Sequence, residues 1–165
     1  MIIRPERPSD AAAIRSLVTA AFTGAPHSSG TEAAIVDALR DAGALTLSLV
    51  AAERDNVIGH AAFSPVTIDR SPDGWFGLGP VAVRPDRQHG GIGRALIAEG
   101  LRQLRERGAE GCVVLGDPAY YGRFGFRADP ALRYPGVPAA YFQRLAFDGD
   151  SPAGTVAYHP AFTAS

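Results

Sequence analysis

Apolar residues recur at helical spacing in two stretches near the beginning of the sequence. Intervals of three and four residues in the first stretch pick out Ile14, Leu17, Val18, Ala21 and Phe22. Ser9 precedes this stretch as an N-cap and Gly24 follows it, so the pattern predicts a helix with one apolar face. The second stretch lies between an N-cap at Thr31 and a closing glycine at Gly43. Its apolar face consists of Ile35, Val36 and Leu39.

Runs rich in apolar and β-branched residues predict the strands of a sheet. These runs cover Ile2-Ile3 and residues 47–53, 57–63, 75–83, 111–115, 141–147 and 155–158. The run at 111–115 is almost wholly apolar, as expected for a strand that is buried on both faces. Two further helices are expected over 91–107 and 119–124, and Asp117 and Pro118 begin the shorter one.

These elements follow one another in the order β-α-α-β-β-β-α-β-α-β-β, which predicts an α/β fold with a mixed sheet and helices packed on it. The strand, helix and strand over residues 75–115 are most simply a right-handed crossover between parallel strands. A chain of 165 residues has the length of one domain, which we assign to residues 1–165.

Composition and charge argue against two broad classes of partner. The formal net charge is −1, which disfavours a nucleic-acid surface. No stretch reaches membrane-spanning length, and the segment Met1-Ile2-Ile3-Arg4-Pro5 lacks the apolar core of a signal peptide. The single cysteine, Cys112, cannot form an internal disulfide, which fits a reducing compartment. We therefore expect a cytoplasmic protein with neither a nucleic-acid nor a membrane partner.

Three glycines, Gly90, Gly91 and Gly93, stand at the start of the helix predicted over 91–107. Glycine leaves backbone N–H groups unobstructed, and a helix N-terminus adds donors and partial positive charge. The stretch therefore predicts an anion site of the kind that holds a phosphate. Positive charge nearby comes from Arg84, Arg87 and Arg94. A tight loop that needs only the backbone freedom of glycine is the alternative.

Two common phosphate-binding motifs do not fit this stretch. A P-loop requires a lysine, and all 16 basic residues of the chain are arginine. A dinucleotide fingerprint counted from Gly91 requires glycine where the sequence has Leu96. A Rossmann-like domain that binds NAD is therefore a distant alternative.

The glycine stretch carries a resemblance to a known family. Gln88-His89-Gly90-Gly91-Ile92-Gly93 fits the pattern [QR]-x-x-G-x-[GA] of the GNAT superfamily of N-acetyltransferases, and Tyr121-Gly122-Arg123-Phe124-Gly125-Phe126 resembles its Y-x-x-x-G-F. The segments GHAAFSPV (59–66) and LGDPAYYGRFGF (115–126) resemble a bacterial subgroup of predicted acetyltransferases. The element order also resembles the GNAT acyl-CoA N-acyltransferase fold across nearly the whole chain.

The resemblance implies acetyl-CoA as cosubstrate, with no metal. It implies that the pyrophosphate of coenzyme A is held by the loop residues Gln88, His89, Gly90, Gly91, Ile92, Gly93 and Arg94. It implies that the pantetheine arm pairs with a splayed strand at Val81, Ala82 and Val83, and Gly79-Pro80 suits such a break. The acceptor would be a small-molecule or peptide amine, and a homodimer is one of the oligomeric states left open.

The implied reaction is acetyl transfer to a primary amine by direct attack in a ternary complex. Tyr121, the tyrosine of the Y-x-x-x-G-F match, is the expected acid for the departing thiolate, and a backbone N–H near Val81 could stabilise the oxyanion. The run over 75–83 has no carboxylate to act as base. His60 is the expected base because of its ordinary pKa; Asp117 and a chain of water molecules are alternatives. A module that senses acyl-CoA without turnover is the alternative function.

Overall fold

The computed structural model describes residues 1–25 and 28–164 and has an α/β architecture. Its α-helices are α1 (Ala11–Phe22), α2 (Glu32–Asp41), α3 (Ile92–Glu106) and α4 (Pro118–Tyr121). Its strands are β1 (Ile2–Pro5), β2 (Leu47–Glu53), β3 (Asn56–Ile68), β4 (Trp75–Val83), β5 (Gly111–Leu115), β6 (Leu132–Arg133), β7 (Phe142–Ala146) and β8 (Gly154–Tyr158). Short 3-10 turns lie at Pro8–Asp10, Pro85–Arg87, Gly122–Phe124, Ala139–Tyr141 and Pro160–Thr163.

Eight strands within the described residues form a mixed sheet, in which β1, β2, β3, β4, β5 and β7 are neighbours in that order. Strand β2 pairs antiparallel with β1 and β3, and β5 pairs antiparallel with β7. Strands β4 and β5 are parallel and are connected through α3, which confirms the predicted parallel connection. Strand β8 pairs antiparallel with the end of β3 and parallel with β6.

Helix α1 begins differently from the prediction that Ser9 caps it. Ser9 lies inside the 3-10 turn, and Asp10 takes the N-cap position. The Asp10 carboxylate accepts hydrogen bonds from the Arg7 N–H at 2.6 Å and from the Arg4 guanidinium at 2.7 Å. Proline at position 8 fixes φ and has no N–H, so it starts the 3-10 turn before the predicted cap can act.

The strands also differ from the sequence prediction in two places. Strand β3 continues past the predicted end at residue 63, because it changes partner there: Phe63 still pairs with β2, and Val66 pairs with β8. Pro65 lies between these two ladders, outside the register of both the β2 and the β8 pairing. The two residues of β6 (Leu132–Arg133) were not predicted, since two residues are too short to show an alternating pattern.

The chain contains two compact units. The first comprises residues 1–63, 80–100 and the segment from 160 to the last described residue. There α1 and α2 pack on the sheet through Ile14, Leu17, Val18, Ala33, Val36, Val50 and Ala82. The second comprises residues 64–79 and 101–159. Its core contains Val66, Ile68, Trp75, Val113, Leu132, Phe142 and Val156.

Candidate functional site

The glycine loop before α3 is exposed, and its backbone enters the left-handed region twice, at His89 with φ 66° and at Gly91 with φ 88°. Within the described residues, the N–H groups of residues 88–91 donate no hydrogen bond. Helix geometry leaves the N–H groups of the first turn of α3, residues 92–94, without partners inside the helix. Successive free N–H groups at a helix start form a concave site that suits an anion.

Two side chains at the N-terminal side of the loop anchor it within the first unit. The amide Nε2 of Gln88 donates to the carbonyl oxygen of Val83 at 3.1 Å. The guanidinium of Arg87 donates to both carboxylate oxygens of Glu53, at 2.5 and 2.6 Å. These hydrogen bonds lower the pKa of Glu53 to about 2. The loop is therefore held at its N-terminal side by a bidentate pair with the end of β2.

The three arginines that were expected to add charge at the loop behave differently. Arg87 is held by Glu53, and Arg84 pairs with Asp86 at 2.6 Å. Arg94 is exposed in the first turn of α3, and no carboxylate among the described residues pairs with it. Arg94 is thus the arginine of this group whose charge is available to a ligand.

Strand β4 carries the residues that were expected to contact the pantetheine arm. Its parallel pairing with β5 runs from Trp75 opposite Gly111 to Leu78 opposite Val114, and Gly79 follows with φ 138°. In the first unit, Ala82 is buried in the core, whereas residues 81 and 83 are partly buried. The pairing with β5 therefore ends directly before Gly79-Pro80, where the sequence predicted an irregularity.

Within the motif, Ile92 differs from its neighbours because its side chain is buried. A Cβ atom built on Gly59 of β3 would lie 2.8 Å from Cγ2 of Ile92 and 2.9 Å from Cδ1 of Leu96. The absence of a side chain at Gly59 therefore lets the first turn of α3 pack closely on the sheet. Ile92 fixes the start of the helix, and the loop residues before it remain exposed.

Tyr121 ends α4, which begins as the sequence predicted, with Oδ1 of Asp117 accepting from the N–H of Ala119 at 2.9 Å. The Tyr121 ring packs on Gly116 and makes an edge contact with Phe126. Burial first, and then the neighbouring Tyr120, raise the pKa of Tyr121 to about 12, so the phenol is protonated at neutral pH. Within the described part of the chain, its hydroxyl makes no hydrogen bond, which leaves the proton available.

The position of Gly116 is itself fixed by hydrogen bonds in the second unit. Its N–H donates to the carbonyl oxygen of Tyr141 at 2.9 Å, and its carbonyl oxygen accepts from Nε2 of Gln143 at 3.0 Å. Gln143 is 1% exposed. These hydrogen bonds fix the backbone against which the Tyr121 ring packs. No local pattern in the sequence predicted them.

Cys112 is buried in β5, and burial raises the pKa of its thiol well above the usual range. A cysteine nucleophile must reach the thiolate form. Cys112 therefore lacks the environment of a covalent catalyst.

His60 lies on β3 with 0% exposure, and its Nε2 is 2.7 Å from Oγ of Ser48 on β2. Ser48 in turn donates to the carboxylate of Glu6. Burial lowers the pKa of His60 to about 4; the charge of Glu6 opposes this shift and that of Arg40 adds to it. His60 is therefore neutral at pH 7.

Glu6 is bound on its other side by Arg40 of α2. Arg40 donates from Nε and Nη2 to the two carboxylate oxygens, at 2.7 and 3.0 Å. Burial raises the pKa of Glu6, but the hydrogen bonds from Arg40 and Ser48 outweigh it, so the pKa lies below its ordinary value. Arg40 also pairs with Asp37, and Asp37 pairs with Arg15 of α1. A continuous row of polar groups thus connects His60 to the exposed Arg15.

No group of three or more His, Cys, Asp or Glu side chains in the described part of the chain is arranged to hold a metal ion. None of the described helices is long and apolar enough to cross a membrane.

Comparison with known proteins decides the family. The model of the acetyltransferase (GNAT) family matches residues 11–126. The chain belongs to the GNAT family of acetyltransferases. The matched range contains the glycine loop, Tyr121 and His60, whereas Glu6 lies outside it. The predicted resemblance and the predicted fold class are thereby confirmed.

Relatives within the GNAT family cover almost the whole chain. The uncharacterized N-acetyltransferase YhbS of Escherichia coli (strain K12) is 41% identical over an alignment of 169 positions, which covers 98% of each chain. A GNAT family acetyltransferase from Brucella melitensis, solved in complex with acetyl-CoA, is 57% identical with a TM-score of 0.89, and the match covers 98% of this chain and 97% of that one. The structure of YhbS in complex with CoA has 40% identity and a TM-score of 0.89, covering 98% and 91% of the two chains.

Proposed function

We propose that this protein is an acetyl-CoA-dependent N-acetyltransferase that acts as a single domain over residues 1–165 and transfers an acetyl group to a primary amine. The observation that carries the proposal is the exposed loop of residues 88–91, whose free N–H groups lead into the start of α3. Family membership and the acetyl-CoA and CoA complexes of two similar proteins support the same ligand.

The residues of the loop fit the pyrophosphate of coenzyme A. N–H groups of residues 88–94 would donate to phosphate oxygens, and left-handed residues such as His89 and Gly91 are typical of loops in which successive N–H groups bind one anion. Arg94 would add positive charge at the phosphates, because Arg84 and Arg87 are already paired with carboxylates. Backbone groups of Val81, Ala82 and Val83 would pair with the pantetheine arm.

The proposed reaction has one bond formed and one broken. The amine nitrogen attacks the carbonyl carbon of the thioester, the carbon–sulfur bond breaks, and the thiolate takes a proton from the hydroxyl of Tyr121. A backbone N–H at Val81 would stabilise the oxyanion. His60, whose imidazole is neutral at pH 7, is the proposed proton acceptor for the amine.

Turnover with a panel of acceptors tests this proposal. The full chain is incubated with acetyl-CoA and, separately, with small amines, amino acids, aminoglycosides and peptides, and free CoA thiol is measured. We expect CoA thiol to be released faster than acetyl-CoA hydrolyses without an acceptor. One acceptor should gain the mass of one acetyl group. Tight acetyl-CoA binding without acetylation of any acceptor would instead favour a module that senses acyl-CoA.

A further inference from the structure

We propose that Ser48 and Glu6 are positioning residues that hold His60 as its Nε2–H tautomer, which leaves the lone pair of Nδ1 free for the role of proton acceptor. Hydrogen bonds then link Nε2 through Ser48 to the Glu6 carboxylate. The proposal rests on the proposed acetyl transfer, in which His60 takes the proton of the amine. It adds two residues that no motif of the family match identifies.

The protons of the row determine the tautomer. Glu6 accepts from Arg40 at both oxygens and is ionised, so it can only accept from Ser48. The single hydroxyl proton of Ser48 is therefore used toward Glu6, and Oγ has only acceptor capacity left for His60. Nε2 of His60, 2.7 Å away, must be the donor. A neutral imidazole with its proton on Nε2 has a bare lone pair on Nδ1.

That lone pair has no partner in the described part of the chain. Nδ1 of His60 is buried and accepts no hydrogen bond there. Most buried polar atoms of folded proteins do have a hydrogen-bond partner, and an exception calls for an explanation. A proton acceptor that acts only during the reaction is such an explanation.

Charged groups that face the row come from each element packed against it. Glu6 follows β1, Arg40 and Asp37 lie on α2, and Arg15 lies on α1. The side chains of Arg15, Asp37, Arg40 and Glu6 are 56%, 30%, 23% and 16% exposed, so the row leads from solvent toward the buried imidazole. Glu6 is the carboxylate that reaches Ser48, and Arg40 keeps it ionised.

The proton step can be written with its atoms balanced. Nδ1 takes one proton from the attacking amine and the ring becomes an imidazolium. Nε2 keeps its own proton and its hydrogen bond to Oγ of Ser48, and Ser48 keeps its hydrogen bond to the ionised Glu6, so the proton taken from the amine stays on Nδ1. The intermediate imidazolium is stabilised by the negative charge of Glu6.

A purely structural reason for the row is weak on energetic grounds. Burying polar and charged groups costs free energy that well-packed apolar side chains would avoid. From Leu47 to Ala51 the β2–β3 pair keeps a regular register, with Val50 opposite His60 and Ser48 opposite Ala62, and the register shifts only between Ala51 and Ala52. The sheet therefore does not need a side-chain hydrogen bond between Ser48 and His60 to set its register.

Nitrogen NMR of the full chain tests the tautomer without any assay of activity. Imidazole ¹⁵N signals are recorded at pH 7, and the His60→Gln variant identifies which of the four histidines gives each signal. We expect a protonated Nε2 and an unprotonated Nδ1 for His60, and loss of the tautomer preference in Ser48→Ala. A proton on Nδ1 in the wild-type protein would overturn the proposal.

Kinetics separate positioning from a structural role. Ser48→Ala and Glu6→Gln should lower kcat at least tenfold, leave the affinity for acetyl-CoA unchanged, and move the acidic limb of the kcat/KM profile to lower pH. Ser48→Thr keeps the hydroxyl and should restore both values. Ser64→Ala is the matched control. Ser64 is a buried serine on β3, and its Oγ has no partner among the described residues.

The kinetic results can reject the positioning role of Ser48 and Glu6 without rejecting the acetyltransferase activity. Wild-type acetyl transfer with unchanged kcat and pH profile in Ser48→Ala and Glu6→Gln would overturn the positioning role and leave the transferase activity standing. Activity that falls only in proportion to the folded fraction would also overturn it. If no amine is acetylated by the wild-type protein, the proposed function fails and the proton role fails with it, whatever the NMR shows.

Discussion

The ring of Tyr121 lies so close to Gly116 that a Cβ atom on Gly116 would stand 2.5 Å from Cε2 of the ring. A side chain at position 116 and the present position of the phenol exclude each other. Since the obstructing atoms belong to a side chain that can rotate, the fold can survive a methyl group there while the tyrosine moves away.

Gly116→Ala should therefore lower turnover about tenfold or more, because small displacements of a reacting group cost large factors in rate. The affinity for acetyl-CoA and the free energy of unfolding should change far less. Gly122→Ala is the matched control, since a Cβ atom there meets nothing within 4 Å. Equal turnover of both variants would show that the position of the Tyr121 ring is unimportant to the reaction.

Tyr121→Phe keeps the ring and removes the proton that the thiolate needs. Turnover should fall on the order of 100-fold, near the lower end for general acid catalysis. If chemistry limits the rate, kcat and kcat/KM should fall together. Tyr120→Phe should be milder, because Tyr120 packs against Tyr121 and Phe124 and lies under the Arg123 guanidinium. Wild-type turnover by Tyr121→Phe would leave Tyr121 with a packing role only.

Gly91→Ala should weaken acetyl-CoA binding about tenfold, roughly 1.4 kcal/mol, because the φ of 88° at this position is unfavourable for alanine. Gly108→Ala is the control at the opposite end of α3. Gly108 has φ 79°, and like Gly91 it has open space where a Cβ atom would lie. Calorimetric titration should show a binding defect in Gly91→Ala alone, although both variants lose stability. A similar defect in both would remove the loop from the binding site.

Arg94→Gln should also reduce affinity for acetyl-CoA, by about tenfold at low salt, since a charge-assisted hydrogen bond contributes roughly 1.5–3 kcal/mol. The loss should shrink as salt is added, because screening weakens the charge that the variant lacks. Arg102→Gln removes an arginine from the same helix whose partner is Glu106. Titrations at two salt concentrations check the prediction, and equal effects of the two substitutions would contradict it.

Stability should fall as the pH is lowered from 7 to 5 because of His60. Its pKa is about 4 when folded and 6.5 in the reference state, so the unfolded chain binds a proton in this window that the folded chain does not. The expected loss is roughly 2 kcal/mol in the free energy of unfolding. The pKa of Glu6 lies below its reference value of 4.5, so protonation of Glu6 reduces stability mainly at pH values below this window.

Urea unfolding at pH 7, 6 and 5 measures this slope. His60→Gln should flatten it, whatever its stability at pH 7, whereas His89→Gln at an exposed position should leave it unchanged. An equally steep slope in His60→Gln would assign the acid sensitivity to other groups.

Local chemistry explains why much of the fold and the loop could be predicted. Strands β4 and β5 have the predicted bounds, and the parallel pairing of these strands around α3 was predicted. The glycine loop and Tyr121 belong to short motifs whose meaning depends on adjacent residues. Ser9 was wrong as a cap, because the proline before it acts on the same turn.

Other features depend on residues that only folding brings together. Arg87 was expected to face a phosphate, but it is bound by Glu53, 34 positions away. The contact of Tyr121 with Gly116 depends on the path of the chain between β5 and α4 and on the hydrogen bond from Gln143. No periodicity of apolar positions encodes either relationship.

By itself, the sequence determined the order of the elements apart from β6, and it predicted a phosphate site at the glycine loop and Tyr121 as the candidate acid, because turns and helix starts are governed by residues next to one another. The tertiary structure decided the surroundings of His60. Register between β2 and β3 puts Ser48 and His60 on the same face, and a shift by one residue would separate them. Glu6 reaches Ser48 across 42 positions of sequence. Such a row of hydrogen bonds exists only once the strands are paired, since its geometry belongs to the sheet and not to any one segment of the chain.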